Sequence, residues 1–390
     1  MTRVAGDWMD HAPARAVCAM LENGGHQALF VGGCVRNVLL GAPVSDLDIS
    51  TDARPERVIA LARAAGLKPV PTGIDHGTVT VIVDHEPFEI TTFRRDVETD
   101  GRRAVVVFAN TIEEDARRRD FTMNALYARI DGTLLDPLGG LPDLQARRVR
   151  FIGTAEHRIR EDYLRSLRFF RFHAWYGDPD QGMDADALDA IARHLDGLDN
   201  LSRERVGTEL VKLLSAPDPA PALAAMRATG VLMQVLPGAD DRALAPLVHL
   251  EQQAGLPPEP MRRLSALCAA EPIATLRLSK AQVARAAAIR DGATGGQGAG
   301  ELGYRLGAET ARDALVLRAA LMEHPLGSED FRRAEAGAAA DFPISAQDLM
   351  PAHSGSTLGK ALKSLEQSWI DSGFTLTKPE LLDISRTLKG

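Results

Sequence analysis

Two aspartates stand one residue apart in "SDLDIS" (residues 45–50), shortly after the glycine pair and arginine of "VGGCVRN" (residues 31–37). Alternate side chains of a β-strand point to the same face, so Asp46 and Asp48 would reach one place if this stretch is a strand. Two carboxylates held so close repel each other unless a cation lies between them, and hard oxygen ligands suit Mg²⁺ bound together with substrate phosphates. The spacing therefore predicts a magnesium site.

The glycine pair predicts a phosphate contact beside that site. Gly32 and Gly33 lie between a predicted buried strand, "ALFV", and a predicted helix from about Val35 to Leu40. Glycines here let backbone N–H groups approach phosphate oxygens, and Arg36 in the first helical turn would add a charge-assisted contact. The alternative is an ordinary strand-to-helix turn with the two aspartates as loop caps. A dinucleotide fingerprint fits poorly, because it needs G-x-G-x-x-G and a more distant acid.

A third cluster lies in "EDYLRSLRFFRF" (residues 161–172), where charged residues recur at every third position. This spacing predicts a slowly drifting stripe on one side of a helix, while Leu164, Leu167 and Phe170 bury another side. Arginine and aspartate together offer donors and acceptors that would match the Watson–Crick edge of a base. An amphipathic helix with a solvated face is the alternative. The stripe consists of Asp162, Arg165, Arg168 and Arg171.

The composition is that of a globular protein with a local basic segment. The chain has 390 residues, of which 45% are hydrophobic and 25% charged, and its formal net charge is −8. Such an overall charge does not by itself indicate a nucleic-acid partner. Residues 147–173, however, contain eight arginines and three acids. A basic face directed toward phosphates is therefore predicted within an acidic chain.

The elements that must position these residues read as α+β. Strand and helix patterns alternate up to about residue 145, and helical blocks rich in Ala, Leu and Arg follow from about residue 155. The glycine-rich piece at residues 292–300 is predicted to be a flexible loop or linker. Three scattered cysteines, no signal-like start and no apolar run of membrane-span length together lead us to expect a cytoplasmic protein without membrane contact.

Four motifs resemble, in the same order, those of the class II tRNA nucleotidyltransferases and bacterial poly(A) polymerases of the DNA polymerase β superfamily. "GGCVRNVLLG…SDLDIST" is similar to the first motif, "RRRDFTMNAL" (residues 117–126) to the second, "EDYLRSLRFFRF" to the nucleotide-selecting motif and "ETDGRRA" (residues 98–104) to the flexible-loop motif. The resemblance implies a nucleotidyltransferase head with a small mixed sheet at residues 1–148. It further implies an all-α neck at residues 149–215 and an all-α body and tail, binding tRNA, at residues 216–390.

By this resemblance, Asp46 and Asp48 hold two Mg²⁺ ions, ATP and CTP are substrates, and the tRNA 3′ end and acceptor stem form the partner. No protein partner is implied. Glu89, in "FEITTF" on a neighbouring predicted strand, is the candidate for the third carboxylate that sites of this superfamily use. An isolated strand glutamate otherwise faces solvent.

The resemblance also assigns nucleotide contacts. Arg119 is implied to contact the nucleotide, with Asp120 and Asn124 as nearby support. Asp162 and Arg165 are implied to read C or A by hydrogen bonds. Asn37 stands where the family usually has an acid. Further nucleotide contacts carried over from the third motif are Arg168 and Arg171.

Addition of CCA to tRNA is the leading hypothesis. Poly(A) polymerase is the nearest rival, but the chain lacks the extra basic signature and basic tail typical of the bacterial enzymes. Enzymes that add only CC or only A remain open, because small changes in the flexible loop around residues 100–103 would restrict the product. A non-catalytic tRNA-binding protein is the hypothesis from another class, and it predicts loss of Asp46, Asp48 or Arg119, which are all present.

Overall fold

The computed structural model describes residues 3–99, 104–350 and 353–387. The chain divides into two compact units, Met1–Val235 and Leu236–Gly390. In the described residues the strands all lie in the first unit, and the second unit is helical. The predicted α+β class with a mixed sheet is therefore confirmed. The finer boundaries at residues 148/149 and 215/216 stay predictions.

The elements of the first unit alternate between strands and helices before they become helical. In chain order they are α1 (Ala12–Asn23), β1 (Leu29–Val31), α2 (Gly33–Leu40), β2 (Asp48–Thr51), α3 (Pro55–Ala64), β3 (Lys68–Gly73), β4 (Thr78–Val83), β5 (Glu86–Thr92), β6 (Arg94–Thr99), β7 (Ala104–Phe108), α4 (Ile112–Arg117), β8 (Tyr127–Ala128), β9 (Leu134–Leu135), α5 (Leu141–Gln145), α6 (Ala155–Glu161), α7 (Leu164–Tyr176), α8 (Ala185–Arg193), α9 (Arg203–Leu214), α10 (Ala220–Ala228) and α11 (Val231–Val235).

Within the described part of the chain, the strands form a seven-stranded sheet and a separate ribbon of β6 and β7. The larger sheet has the order β3-β4-β5-β2-β1-β8-β9, with β2 and β5 parallel and the other neighbours antiparallel. All three residues of β1 are buried, as expected of an apolar strand covered on both faces. This interior strand fixes the position of the glycine turn that follows it.

The predicted strand through both aspartates is shorter than expected. β2 begins at Asp48, so Asp46 lies in the irregular segment before it. That segment is held by side chains instead of a strand ladder: Asn37 Nδ2 donates to the Pro43 carbonyl at 2.7 Å, and Ser45 Oγ donates to Asp46 at 2.8 Å. The alternation argument therefore applies to Asp48 and is wrong for Asp46.

The second unit is a set of packed helices. In chain order they are α12 (Leu244–Gln253), α13 (Pro260–Leu267), α14 (Ala270–Ala274), α15 (Lys280–Thr294), α16 (Ala299–Leu306), α17 (Ala308–Met322), α18 (Ser328–Ala338), α19 (Ala346–Leu349), α20 (Gly355–Asp371) and α21 (Lys378–Thr387). None of the helices in the described residues has both the length and the apolar character needed to cross a membrane.

The loop or linker predicted at residues 292–300 is shorter than expected, because only residues 295–298 connect the two helices. Residues 292–294 end α15, and residues 299–300 begin α16. The glycines allow two helices to touch: a Cβ added to Gly303 of α16 would lie 1.9 Å from the Ala334 carbonyl oxygen of α18, and one added to Gly337 would lie 2.0 Å from the Gly300 carbonyl. Gly303 and Gly337 therefore serve close packing of α16 against α18.

Replacing Gly303 by alanine is expected to lower the free energy of unfolding by about 1–3 kcal/mol, because an extra methyl overpacks this contact. Gly359→Ala is the matched control, since a Cβ there meets nothing within 4 Å and alanine is favoured inside a helix. Urea unfolding of both variants measures the difference. Equal stabilities would show that α16 and α18 separate without cost.

Candidate functional site

The glycine turn after β1 requires a residue without a side chain. Gly32 caps α2 with φ 73° and ψ −119°, a backbone conformation that other residues rarely adopt. A Cβ at this position would lie 3.7 Å from Nη1 of Arg119. The turn therefore brings the Gly32 backbone close to the Arg119 guanidinium. The phosphate contact expected of Gly32 and Gly33 stays a prediction.

Carboxylates from two neighbouring strands meet at the start of β2. Asp48 pairs in register with Glu89 of the parallel strand β5, so their side chains share a face of the sheet. Both side chains are exposed at this edge. Partial loss of hydration raises the pKa of Asp48, and the negative charges of Glu89 and Asp46 raise it while Arg119 lowers it. Asp46 thus contributes to the same negative field even though it lies outside the strand.

Arg119 is held by a buried network. Its Nε donates to the Tyr127 hydroxyl at 3.1 Å, and its Nη2 donates to Asp115 at 3.0 Å and to Ser50 at 3.3 Å. Asp115 also accepts from Arg118 Nε at 2.8 Å. Burial by itself would raise the pKa of Asp115, but Arg119, Arg118 and the Tyr127 hydroxyl together lower it to about 2. A fully buried carboxylate therefore fixes the direction of the Arg119 side chain.

Asp120 plays the same part for Arg168. Nε and Nη2 of Arg168 donate to one oxygen of Asp120 at 2.8 and 2.5 Å, while Asn124 Nδ2 donates to its other oxygen at 2.9 Å. Burial alone would raise the pKa of Asp120, but Arg168 and Asn124 contribute to lowering it to about 2. The network ties α7 to the segment that carries Arg119.

Arg36 is buried among neutral partners. Its side chain is enclosed by rings, with the guanidinium carbon 4.0 Å from the Tyr176 ring centroid and 5.2 Å from that of Phe172. Its nitrogens donate to Asn124 Oδ1 at 2.6 Å, to the Tyr176 hydroxyl at 2.8 Å and to Asn37 Oδ1 at 2.9 Å. Burial lowers the pKa of Arg36. Asn37 therefore keeps a hydrogen bond to the arginine without neutralising its charge.

The predicted charged stripe is broken at its first member. α6 ends at Glu161 and α7 begins at Leu164, so Asp162 lies between the two helices with an extended backbone. Its Oδ1 accepts from the Leu164 N–H at 3.1 Å, and its Oδ2 accepts from Arg205 Nη2 at 2.7 Å. Asp162 thus helps to cap α7 instead of standing on it, and the prediction that it shares the helix is wrong.

The arginines of α7 have different surroundings. Arg165 binds Glu161 and donates to the Arg158 carbonyl at 3.0 Å. Arg171 donates to Glu209 of α9 at 2.6 Å. Leu164, Leu167 and Phe170 are buried, which confirms the predicted apolar side of the helix. The basic side therefore faces several carboxylates before any ligand is bound.

A cavity of about 390 Å³ brings most predicted site residues together. Asp46, Glu89 and Arg171 are not among the residues that line it. Its walls are strongly polar, and arginines supply most of the charge, as a site for a phosphorylated ligand requires. The predicted residues that line it are Gly32, Gly33, Arg36, Asp48, Arg119, Asp162, Arg165 and Arg168.

Sequence reasoning gave no role to several residues that build the site. Asp115 lies four positions before Arg119, a helical spacing that would have indicated the ion pair. Tyr176 and Arg205 reach the site only through tertiary packing, and no local pattern indicates them. The predicted flexible-loop residues 100–103 lie outside the described residues.

Two family models match the chain. Residues 28–150 match "Poly A polymerase head domain", and residues 182–242 match "Probable RNA and SrmB-binding site of polymerase A". The first match contains the glycine turn, the carboxylates and Arg119. The second covers helices that follow α7.

Named relatives are CCA-adding proteins. The chain is 43% identical over 190 residues to "CCA tRNA nucleotidyltransferase 1, mitochondrial" of Homo sapiens, covering 48% of this chain and 44% of that protein. It is 43% identical over 206 residues to the "CCA-adding enzyme" of Streptococcus pyogenes, covering 52% and 50%. The chain thus spans about half the length of the curated relatives it matches.

A solved structure resembles the whole chain. The crystal structure of the Bacillus stearothermophilus CCA-adding enzyme in complex with CTP has a TM-score of 0.75 and 29% sequence identity. The similarity covers 97% of this chain and 98% of that one. The likeness therefore extends beyond the segment shared with the curated relatives.

Proposed function

We propose that this chain, whose residues 28–150 belong to the poly A polymerase head domain family, is a nucleotidyltransferase that adds CCA to tRNA 3′ ends from CTP and ATP. The observation that carries the proposal is the cavity in which Asp48, the glycine turn and four of the predicted arginines meet. The relatives named CCA-adding enzymes and the CTP-bound neighbour support the substrate class.

The donor set fits Mg²⁺. Asp46, Asp48 and Glu89 offer carboxylate oxygens. Partial burial, followed by the negative charges of Glu89 and Asp46, raises the pKa of Asp48, and a cation would relieve the repulsion between these carboxylates. In the described ranges no group of three or more His, Cys, Asp or Glu side chains is arranged to hold a metal ion. Mg²⁺ commonly uses one or two carboxylates together with substrate phosphates. We therefore assign two Mg²⁺ ions to Asp46 and Asp48, completed by the triphosphate, with Glu89 as the neighbouring carboxylate.

The glycine turn, Arg36 and Arg119 are the proposed contacts of the triphosphate. Gly32 and Gly33 would bring backbone close to the triphosphate, and Arg36 adds a positive charge whose hydrogen-bond partners, Asn124, Tyr176 and Asn37, are neutral. Arg119, fixed by Asp115, lies beside the glycine turn on the same side. When bound by Asp46 and Asp48, the ions would neutralise charge on the triphosphate and favour loss of the RNA 3′-hydroxyl proton to solvent. The 3′-oxygen would then bond to the α-phosphorus as the bond to the β-phosphate breaks and pyrophosphate leaves.

Base choice is assigned to Asp162 and Arg165, which line the same cavity. Asp162 offers an acceptor and Arg165 offers donors, a combination that would match the Watson–Crick edges of C and A. Arg168 and Arg205 line the same cavity and hold this region in place through Asp120 and Asp162. Arg171, paired with Glu209, is proposed to support α7 and to contact the nucleotide indirectly.

Replacing Asp162 by alanine is expected to reduce discrimination for CTP and ATP against UTP and GTP by roughly 5- to 150-fold, because one base contact contributes about 1–3 kcal/mol. Single-turnover incorporation with each nucleotide measures this ratio. Arg205→Ala tests separately how far the position of Asp162 matters, since it removes the arginine that holds Asp162 and keeps the Asp162 acceptor. Unchanged discrimination in Asp162→Ala would remove Asp162 from base recognition.

The decisive experiment offers the purified protein Mg²⁺ and labelled CTP or ATP with three tRNA transcripts, ending before CCA, after C and after CC. Growth to CCA followed by a stop is the expected result. Long A tracts would indicate a poly(A) polymerase instead, and stalling after CC, or activity on the CC end alone, would indicate a specialised enzyme. No incorporation with tRNA still bound would indicate a non-catalytic binding protein.

We propose that the protein is cytoplasmic, on evidence separate from the site. Cys18, Cys34 and Cys268 are free and buried, as in proteins of a reducing compartment such as the cytoplasm. The Homo sapiens relative, by contrast, is named as a mitochondrial protein. Fractionation of the native host would distinguish the two.

A further inference from the structure

The cavity of about 390 Å³ that contains Asp48 and Arg119 is called the nucleotide cavity from here on. A second cavity, of about 620 Å³, lies beside it, and Arg118 lines both. Leu138, Phe151 and Ile152 form an apolar part of its lining, and most of the remaining lining residues are charged. The roles proposed above use only the nucleotide cavity. The arginines that line the second cavity are Arg95, Arg117, Arg118, Arg150 and Arg158.

Two carboxylates, Glu114 and Glu161, line the second cavity with these five arginines. Two further carboxylates lie outside the lining, and each is shared between two arginines. Asp115 lies 2.8 Å from Arg118 and 3.0 Å from Arg119. Asp143 lies 2.8 Å from Arg150 and 3.8 Å from Arg148. One negative charge facing two guanidiniums leaves a net positive charge even where every arginine is paired.

Glu161 repeats this arrangement. It binds Arg158 at 2.5 Å and also binds Arg165. Arg158 is 6% exposed, and its Nε is buried without a hydrogen-bond partner among the described residues. A buried donor without an acceptor costs about 1–3 kcal/mol, so the arginine is held in place at a cost.

Two further arginines add charge to the rim of the cavity. Arg95 and Arg117 are exposed, and neither side chain forms a hydrogen bond or ion pair with any part of the chain that the structure describes. Exposed arginines in a cavity with an apolar part to its lining suit a ribose–phosphate strand, whose sugars would pack on the apolar side chains while its phosphates contact the guanidiniums.

We propose that this second cavity binds backbone phosphates of the RNA strand whose 3′ end enters the neighbouring nucleotide cavity. The inference rests on the proposed function and adds to it a named surface for RNA. Arg95 and Arg117 are its main phosphate contacts. Because Arg118 lines both cavities, an RNA strand bound in the second one lies next to the reacting nucleotide.

The test compares the double variant Arg95→Ala/Arg117→Ala with the control Arg57→Ala/Arg63→Ala. The control removes the same charge from exposed arginines of α3 that line neither cavity. Fluorescence anisotropy measures the Kd of a labelled tRNA transcript ending before CCA at 50, 100 and 200 mM KCl. CTP affinity and thermal melting are measured on the same samples.

We expect the double variant to bind the tRNA about tenfold more weakly at 50 mM KCl. We also expect the slope of log Kd against log salt to fall by about 0.7–0.9 for each phosphate that the variant no longer neutralises. CTP affinity and melting should match the control. An unchanged slope with active wild-type protein would refute only this inference, whereas wild-type protein that neither binds nor extends tRNA would refute the proposed function. Weaker CTP binding without a change in slope would identify a free-nucleotide site and overturn the proposal.

Discussion

Asp48→Asn is expected to reduce nucleotide incorporation by about 10³-fold or more while tRNA binding is retained. The asparagine side chain has nearly the same shape but no charge, so it would lose the cation that neutralises the triphosphate, a contribution of several kcal/mol to the transition state. Single-turnover incorporation of CTP into a tRNA ending before CCA measures the loss. Asp48 is assigned this effect because it starts β2, lies opposite Glu89 and lines the nucleotide cavity.

The same substitution should not destabilise the protein. When folding raises the pKa of a carboxyl group, the free energy of unfolding falls as the pH rises above the unfolded pKa and the group ionises. The charged Asp48 therefore lowers the stability of the fold at neutral pH. Asparagine removes the negative charge of Asp48, and with it the cost of partial burial and the repulsion by Glu89 and Asp46. The melting temperature of the variant in EDTA should therefore equal or exceed that of the wild type. Asp84→Asn is the control, because it removes one charge at the left-handed β4–β5 turn, where asparagine is tolerated. Retention of more than about a tenth of the activity in Asp48→Asn would contradict its assignment as a metal ligand.

Local patterns predicted the parts of the site that depend on neighbours in sequence. The glycine turn followed from an apolar strand that ends in two glycines, and Gly32 has the positive φ that only such a residue adopts easily. The apolar side of α7 followed from helical spacing. Both features depend only on local backbone preferences and on the separation of apolar from polar side chains, and a single sequence shows both.

Partners distant in sequence could not be predicted in this way. Arg171 fitted a ligand-facing stripe, yet Glu209, 38 residues later, binds it. Arg262 and Arg263 of the second unit would suit an exposed helix face, but they are buried with Glu251, which accepts from them at 2.7 and 2.7 Å. Local spacing assigns a charged residue to solvent or ligand by default, because it does not specify which helix will cover it.

Asp115 illustrates how such a buried partner controls function. Its carboxylate accepts from Arg118, Arg119 and the Tyr127 hydroxyl, so Asp115→Asn would leave two guanidiniums facing a neutral amide. Removing one member of a buried ion pair costs about 3–5 kcal/mol. We expect a loss of this size in the free energy of unfolding of the first unit at pH 7. We also expect incorporation to fall by about 10- to 100-fold, because Arg119 is no longer held beside the glycine turn.

The pH dependence separates the charge of Asp115 from its shape. Its pKa falls from an ordinary 3.8 to about 2 in the folded protein, so its stabilising effect is complete above the unfolded value and is lost as the pH falls through about 2. The stability difference between wild type and Asp115→Asn should therefore be constant from pH 7 to about pH 5 and shrink steadily below about pH 4. Urea unfolding at pH 7, 5, 4 and 3 measures it, with Glu113→Gln as the control that removes an exposed charge from the same helix. A difference that stays constant down to pH 3 would mean that the carboxylate acts through packing, and Arg119 would then need another source of its orientation.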